Sequence, residues 1–173
     1  DWNDVLPADR CSFVLGNPSF LGKTYQSKEQ KSDLSAVTQG IHGAGDLDFV
    51  AGWYIKTAKY MQPLSNSDLT QASQLCCAFV STNSITQGEQ VGVLWSWLLA
   101  QGVHIQFAHR TFSWANEARG NAAVHCVIIG FGLVDRPTKV IFEYADIRSA
   151  PHAVSASNIN PYLVDAPNVA LSK

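Results

Sequence analysis

The sequence predicts an α/β domain in which parallel strands, joined through helices, end in an antiparallel hairpin. Two short apolar runs, Phe13 to Leu15 and Leu75 to Val80, are bounded by polar or turn residues, as buried strands are. Each is followed in the chain by a segment with helical apolar spacing, and strand–helix–strand units of this kind build right-handed crossovers and a parallel sheet. After Gly102 two more strand-like runs follow with no helix between them, which reads as a hairpin. A length of 173 residues, 46% of them hydrophobic and five of them Trp, suffices for one domain with a core but not for two full ones.

Asp1 to Arg10 is a polar approach without a motif. The run from Phe13 is expected to be buried and is stopped by Gly16, after which Asn17-Pro18-Ser19-Phe20 follows at once. In open α/β sheets ligands bind beyond the carboxyl ends of the strands, so an amide, a proline and an aromatic there form a candidate site. Pro18 disfavours the α region for Asn17, which holds it extended and lets its carboxamide project. An ordinary Asn-Pro turn is the plain alternative.

Gly22 to Gly45 reads as a long polar connection, with Lys23, Lys28 and Lys31 as either phosphate contacts or a solvated face. Asp46 is expected to N-cap a helix through about Gln62, with Leu47, Val50, Ala51, Tyr54, Ile55, Ala58 and Met61 on one face and Pro63 as its stop. Ser65 to Gln74 is a linker to the second strand, which should lie parallel to the first. Thr86-Gln87-Gly88-Glu89 has the capping-box pattern, followed by Val91, Leu94, Trp95, Leu98 and Leu99 at helical spacing until Gly102. Val103, Ile105, Phe107 and His109 alternate with other residues, Asn116 to Asn121 turns the chain, and Val124 to Phe131 returns. Val140 to Tyr144 is one more strand, and Ala150 to Lys173 reads as irregular.

A net charge of -2 gives no overall basic signature, so any nucleic-acid contact must come from local patches. Cys11, Cys76, Cys77 and Cys126 lack metal or redox spacing, and Cys76 and Cys77 should face opposite sides of a strand. His104, His109 and His125 have no partner spacing that indicates a metal site. No apolar run is long enough to span a membrane and no signal pattern opens the chain, so a cytoplasmic location and reduced thiols are expected.

Four blocks carry a further reading: Phe13-Val-Leu-Gly-Asn-Pro-Ser-Phe20-Leu-Gly-Lys23, Leu47-Asp-Phe-Val-Ala-Gly-Trp-Tyr54, Phe79-Val-Ser-Thr-Asn-Ser-Ile-Thr-Gln-Gly-Glu-Gln90, and Phe107 to Trp114 with Val124 to Phe131. In content and order they resemble the N6-adenine DNA methyltransferases, and within them the MmeI-like restriction-modification group. The resemblance implies the C-terminal half of a class I, Rossmann-like methyltransferase sheet, with S-adenosylmethionine as methyl donor and duplex DNA as partner. It implies that the Asn17 side-chain oxygen and the Pro18 carbonyl accept from the target amine, and that Phe20 stacks on a base flipped out of the duplex. Ser19, Phe112 and Trp114 would face the base, Asp46 and Leu47 the cofactor, and Lys23, Lys28, Lys31 and Arg110 the phosphates. Ser19 stands where the family usually has a second proline, so altered geometry is expected there.

The chain lacks any Pro-Cys pair, which argues against cytosine-C5 methylation, where a cysteine attacks the ring. A methyltransferase acting on another planar amine, a protein glutamine or an RNA guanine, is the first alternative, and a non-catalytic α/β assembly module the second. Ten residues precede Cys11, and Asn160-Pro-Tyr-Leu-Val-Asp165 resembles the family's approach to its target-recognition region. The expectation is therefore a fragment, inactive alone, with residues 1–150 a partial catalytic domain and 151–173 the start of a linker and target-recognition region. Phe13 to Leu15 would then form an apolar sheet edge that invites self-association.

Overall fold

The strands Phe13–Gly16 (β1), Cys76–Thr82 (β2), His104–Trp114 (β3), Val124–Gly132 (β4), Lys139–Tyr144 (β5) and Pro151–Ala156 (β6) form one sheet in the order β1-β2-β4-β3-β5-β6. The structure is a computed structural model and describes residues 1–62, 75–114 and 124–169. β1 and β2 pair in parallel, from Phe13 opposite Cys76 to Gly16 opposite Phe79. β2 and β3 both run antiparallel to β4, β5 runs parallel to β3, and β6 closes the sheet antiparallel to β5. Hence β1, β2, β3 and β5 point the same way, and Gly16, Thr82, Trp114 and Tyr144 end at one end of the sheet. The parallel strands and the antiparallel β3–β4 pair are those the sequence predicts.

Period-two alternation sets the burial of β2: Cys77, Phe79 and Ser81 are buried while Cys76, Ala78 and Val80 are half-buried. Onto the buried face packs the helix Ala51–Met61 (α3, the short Trp2–Val5 helix being α1), whose Tyr54, Ile55, Ala58 and Met61 recur at helical spacing and are buried. Tyr54 stacks on Phe131 with ring centroids 5.2 Å apart and meets Phe79 edge-on at 5.2 Å and Trp95 at 6.0 Å. The polar tips of this cluster are satisfied: the Tyr54 hydroxyl shares a hydrogen bond of 2.8 Å with Ser81 Oγ, and Trp95 Nε1 donates to the Ile85 carbonyl at 2.9 Å. At Gly130 the Phe107 ring occupies the space of a side chain; a Cβ there would lie 1.9 Å from the ring.

Several local expectations are corrected. β1 is an outer strand and not a buried one: Phe13 and Leu15 are 65% and 68% exposed. The polar connection contains a helix, Lys28–Val37 (α2), opened by a reciprocal capping box between Ser27 and Gln30. Asp46 does not cap α3. It closes a 3₁₀ turn, Ala44–Asp46, and α3 begins at Ala51 without a side-chain cap. The Thr86–Glu89 capping box does not form, because Gly88 at φ +57° turns the chain between them and Thr86 Oγ1 donates instead to the Asn83 carbonyl at 2.8 Å. The helix α4 does follow, over residues 88–100, with a π turn at Val91–Trp95, and ends at Gly102 with φ +77°. β6 overturns the irregular assignment of the tail and extends the sheet past residue 150. Pro63, the Ser65 to Gln74 linker and the Asn116 to Asn121 turn lie outside the described residues. Among the described residues no helix is long and apolar enough to cross a membrane.

Candidate active site

Where β1 stops at Gly16, the chain turns into a cleft of about 710 Å³ whose walls include Asn17, Pro18, Ser19, Leu15 and Trp53. Pro18 is buried, while Asn17 and Ser19 on either side of it are exposed. A buried proline between two exposed polar residues fixes the backbone and leaves the Asn17 carboxamide accessible at the sheet's carboxyl end. Phe20 is half-buried and does not line this cleft.

The segment beyond Phe20 is pinned largely by Gln26, which the sequence reading does not single out. The Leu21 carbonyl accepts from the Phe49 amide at 2.8 Å and from Gln26 Nε2 at 3.3 Å, and Gln26 Nε2 also reaches the Leu47 carbonyl at 3.1 Å. Gln26 is buried, so its carboxamide stitches the segment after β1 to the approach of α3 out of competition with water. Ser84 Oγ donates to Asp48 Oδ2 at 2.6 Å, and the Asp48 amide donates to Gln90 Oε1 at 3.1 Å. Three segments that are distant in sequence, the stretch after Phe20, the approach to α3 and the start of α4, are thus tied together by one set of polar contacts. Asp48, Ser84 and Gln90 fall inside the motif blocks; Gln26 gives no sequence signal beyond being a polar residue in a polar stretch.

A second group gathers at the same sheet end. Phe112 lies 6.1 Å from Trp114 and stacks on Tyr144 at 5.5 Å with 24° between planes. His109 stacks on Phe142 at 4.2 Å and 8°, and its Nδ1 is 2.8 Å from the Tyr144 hydroxyl. A bulge produces this row: four residues of β3, His109 to Phe112, lie opposite three of β4, Ile128 to Cys126, which returns Phe112 to the face of His109. Burial lowers the His109 pKa and raises that of Tyr144, so both are neutral at neutral pH. Phe142 and Tyr144 read in sequence only as strand residues.

Of the candidate phosphate contacts, Lys28 and Lys31 are exposed on α2, Lys23 is ion-paired with Asp46, and Arg110 Nη1 is held by Glu143 Oε1 at 2.9 Å. Of the candidate cofactor contacts, Asp46 and the fully buried Leu47 together line, with Ser84 and Gln90, a hollow of about 490 Å³ that is distinct from the Asn17 cleft. Burial pushes the thiol of Cys77 up to about 12 and that of Cys126 up to about 11, so neither offers a thiolate. Among the described residues no three His, Cys, Asp or Glu side chains converge as metal ligands would. The chemistry on offer is a neutral amide acceptor at the end of β1 and a row of aromatic rings at the same end of β3 and β5, with β2 and β4 between them in the sheet.

The profile of a family described as MmeI, DNA-methyltransferase domain, matches residues 1–143. DNA methyltransferase A of Bacillus subtilis (strain 168) is 42% identical over 174 residues, a match spanning 99% of this chain and 18% of that protein. The solved structure of the Type IIL restriction-modification enzyme MmeI in complex with DNA superposes with a TM-score of 0.88 at 57% identity, covering 98% of this chain and 22% of that one. The chain therefore spans about a fifth of the length of these relatives.

Proposed function

Because the chain belongs to the family of MmeI DNA-methyltransferase domains, we propose that it forms the base-holding half of an enzyme that methylates adenine N6 in duplex DNA within restriction-modification. The observation that carries this is the exposed Asn17 beside a buried Pro18 at the carboxyl end of β1, with the Phe112–Trp114 pair at the same sheet end. An exocyclic amine is a weak nucleophile because its lone pair is delocalised into the ring. In this proposal the Asn17 side-chain oxygen and the Pro18 carbonyl accept its two N–H bonds, which favours a pyramidal nitrogen with the lone pair aimed at the methyl donor. Phe20, Phe112 and Trp114 hold the flipped base, each stacking contact worth roughly 1–3 kcal/mol against the cost of unstacking. Lys28 and Lys31 are available to phosphates, whereas Lys23 and Arg110 would have to exchange their present carboxylate partners.

S-adenosylmethionine, as the family implies, would supply the methyl group. The described residues do not fit it by themselves: Lys23 engages the Asp46 carboxylate, the Leu47 side chain is buried, and neither residue lines the Asn17 cleft. The isolated chain is therefore expected to be inactive and to give no micromolar binding of S-adenosylmethionine by calorimetry. In this proposal residues 1–150 belong to the catalytic domain, and residues 151–173, which open with β6, lead toward a target-recognition region. A methyl-transfer assay of the full-length parent tests the reading: N6-methyladenine in duplex DNA is expected by mass spectrometry, and methyl groups appearing only on RNA or protein would overturn it.

The outer strand favours a second property. β1 pairs with β2 on one side and exposes Phe13 and Leu15, an apolar edge without the charges that usually blunt one. The isolated chain should self-associate through that edge, seen as concentration-dependent sedimentation that Leu15→Lys abolishes; a monomer at every concentration would contradict it.

A further inference from the structure

We propose that Tyr144 is a positioning residue for the base-facing aromatic pair, with His109 as its anchor; this rests on the reading of Phe112 and Trp114 as base-facing. Phe112 meets three rings, Trp114 at 6.1 Å, Tyr144 at 5.5 Å and, edge-on, His109 at 6.4 Å, and the 24° angle to Tyr144 limits how far its plane can tilt. Tyr144 cannot rotate freely, because its hydroxyl is tied to His109 Nδ1 at 2.8 Å. His109 is fixed in turn by the Phe142 ring stacked on it at 4.2 Å, with Phe142 directly opposite it in the β3–β5 register. β5 thus supplies two rings, two residues apart and on one face, that stack on His109 and Phe112 of β3, and Phe112 in turn meets Trp114. Packing alone would not require the hydroxyl-to-imidazole tie, since Phe at position 144 would stack equally well on Phe112. The tie converts a set of stacked rings into one with a fixed tilt, which is what a flipped base needs from the surface it lies against.

The test uses the full-length parent on duplex DNA, with single-turnover methylation rate, DNA affinity, thermal midpoint and the fluorescence of 2-aminopurine at the target base as readouts. Tyr144→Phe keeps the ring and removes the tie, and should slow the rate by about 3- to 10-fold with DNA affinity unchanged. Tyr144→Leu removes the stack and should slow it by about 10-fold or more, with altered 2-aminopurine fluorescence in the complex. In a Phe112→Ala background neither change should cost anything further, because Tyr144 acts through Phe112. Losses that are additive with Phe112→Ala, or a Tyr144→Phe enzyme with the parental rate, would overturn the positioning role while the base-facing reading stands. A Phe112→Ala enzyme with the parental rate would instead overturn that reading, and this inference with it. Should Tyr144→Leu fail to fold, Tyr144→Phe with and without Phe112→Ala still decides.

Discussion

Asn17→Ala in the full-length parent should lower the single-turnover methylation rate by about 100-fold or more, the loss typical of removing one preorganised polar group that acts on the reacting centre. Asn17 is exposed at the end of β1, so truncating it should leave the thermal midpoint and DNA affinity close to those of the parent. Asn17→Asp separates two explanations. A carboxylate can still accept from the amine, so a partial loss points to acceptance as the role, whereas a loss as deep as that of alanine points to the need for a neutral group. Ser19→Pro, which restores the residue usual in the family, should keep activity and stiffen the cleft wall. A parental rate in Asn17→Ala would instead support the non-catalytic assembly module.

Tyr54→Ala should cost about 3–5 kcal/mol of stability. The side chain is fully buried and touches Phe79, Trp95 and Phe131, rings contributed by two strands and a helix, so its removal opens a cavity that all of them border. Tyr54→Phe keeps the ring and leaves Ser81 Oγ, also fully buried, without its partner; that variant should lose about 1–3 kcal/mol. Burial raises the Tyr54 pKa, so the hydroxyl stays protonated and no pH dependence of stability is expected from it below the ordinary tyrosine range. Urea unfolding of the two variants beside the unaltered chain measures both numbers. Trp53→Ala, one residue away on α3 and 38% exposed, should lose much less than Tyr54→Ala, which separates burial from ring size.

What was legible in the sequence follows from how each element is stabilised. β2, α3 and α4 bury apolar faces at period two or 3.6, and both periods are visible in the residues. α2 buries only Leu34, so no apolar stripe announces it; its signal was the Ser27–Gln30 cap, a few polar atoms in a polar stretch. β6 is exposed along most of its length and is held by its backbone ladder to β5, which leaves no side-chain pattern to read. β1 misleads in the opposite sense, since its apolar run has the composition of a buried strand although Phe13 and Leu15 face outward. Within the site, Asn17, Pro18 and Ser19 could be found because they are contiguous and follow a strand. Gln26, His109, Phe142 and Tyr144 could not, because their partners are set by loop closure and by the parallel β3–β5 register.

The bulge between His109 and Phe112 means that β3 carries one residue more than its ladder with β4 needs. Deleting Thr111 would let the strand straighten and keep Phe112 and Trp114 on the face of His109, because the next residue would then pair in ordinary alternation. Deleting Ser113 would move Trp114 alone to the opposite side of the sheet. Tolerance to changes in length is therefore asymmetric along a few residues of one strand: two deletions of equal size, two positions apart, would have opposite fates, and neither alters a single aromatic side chain.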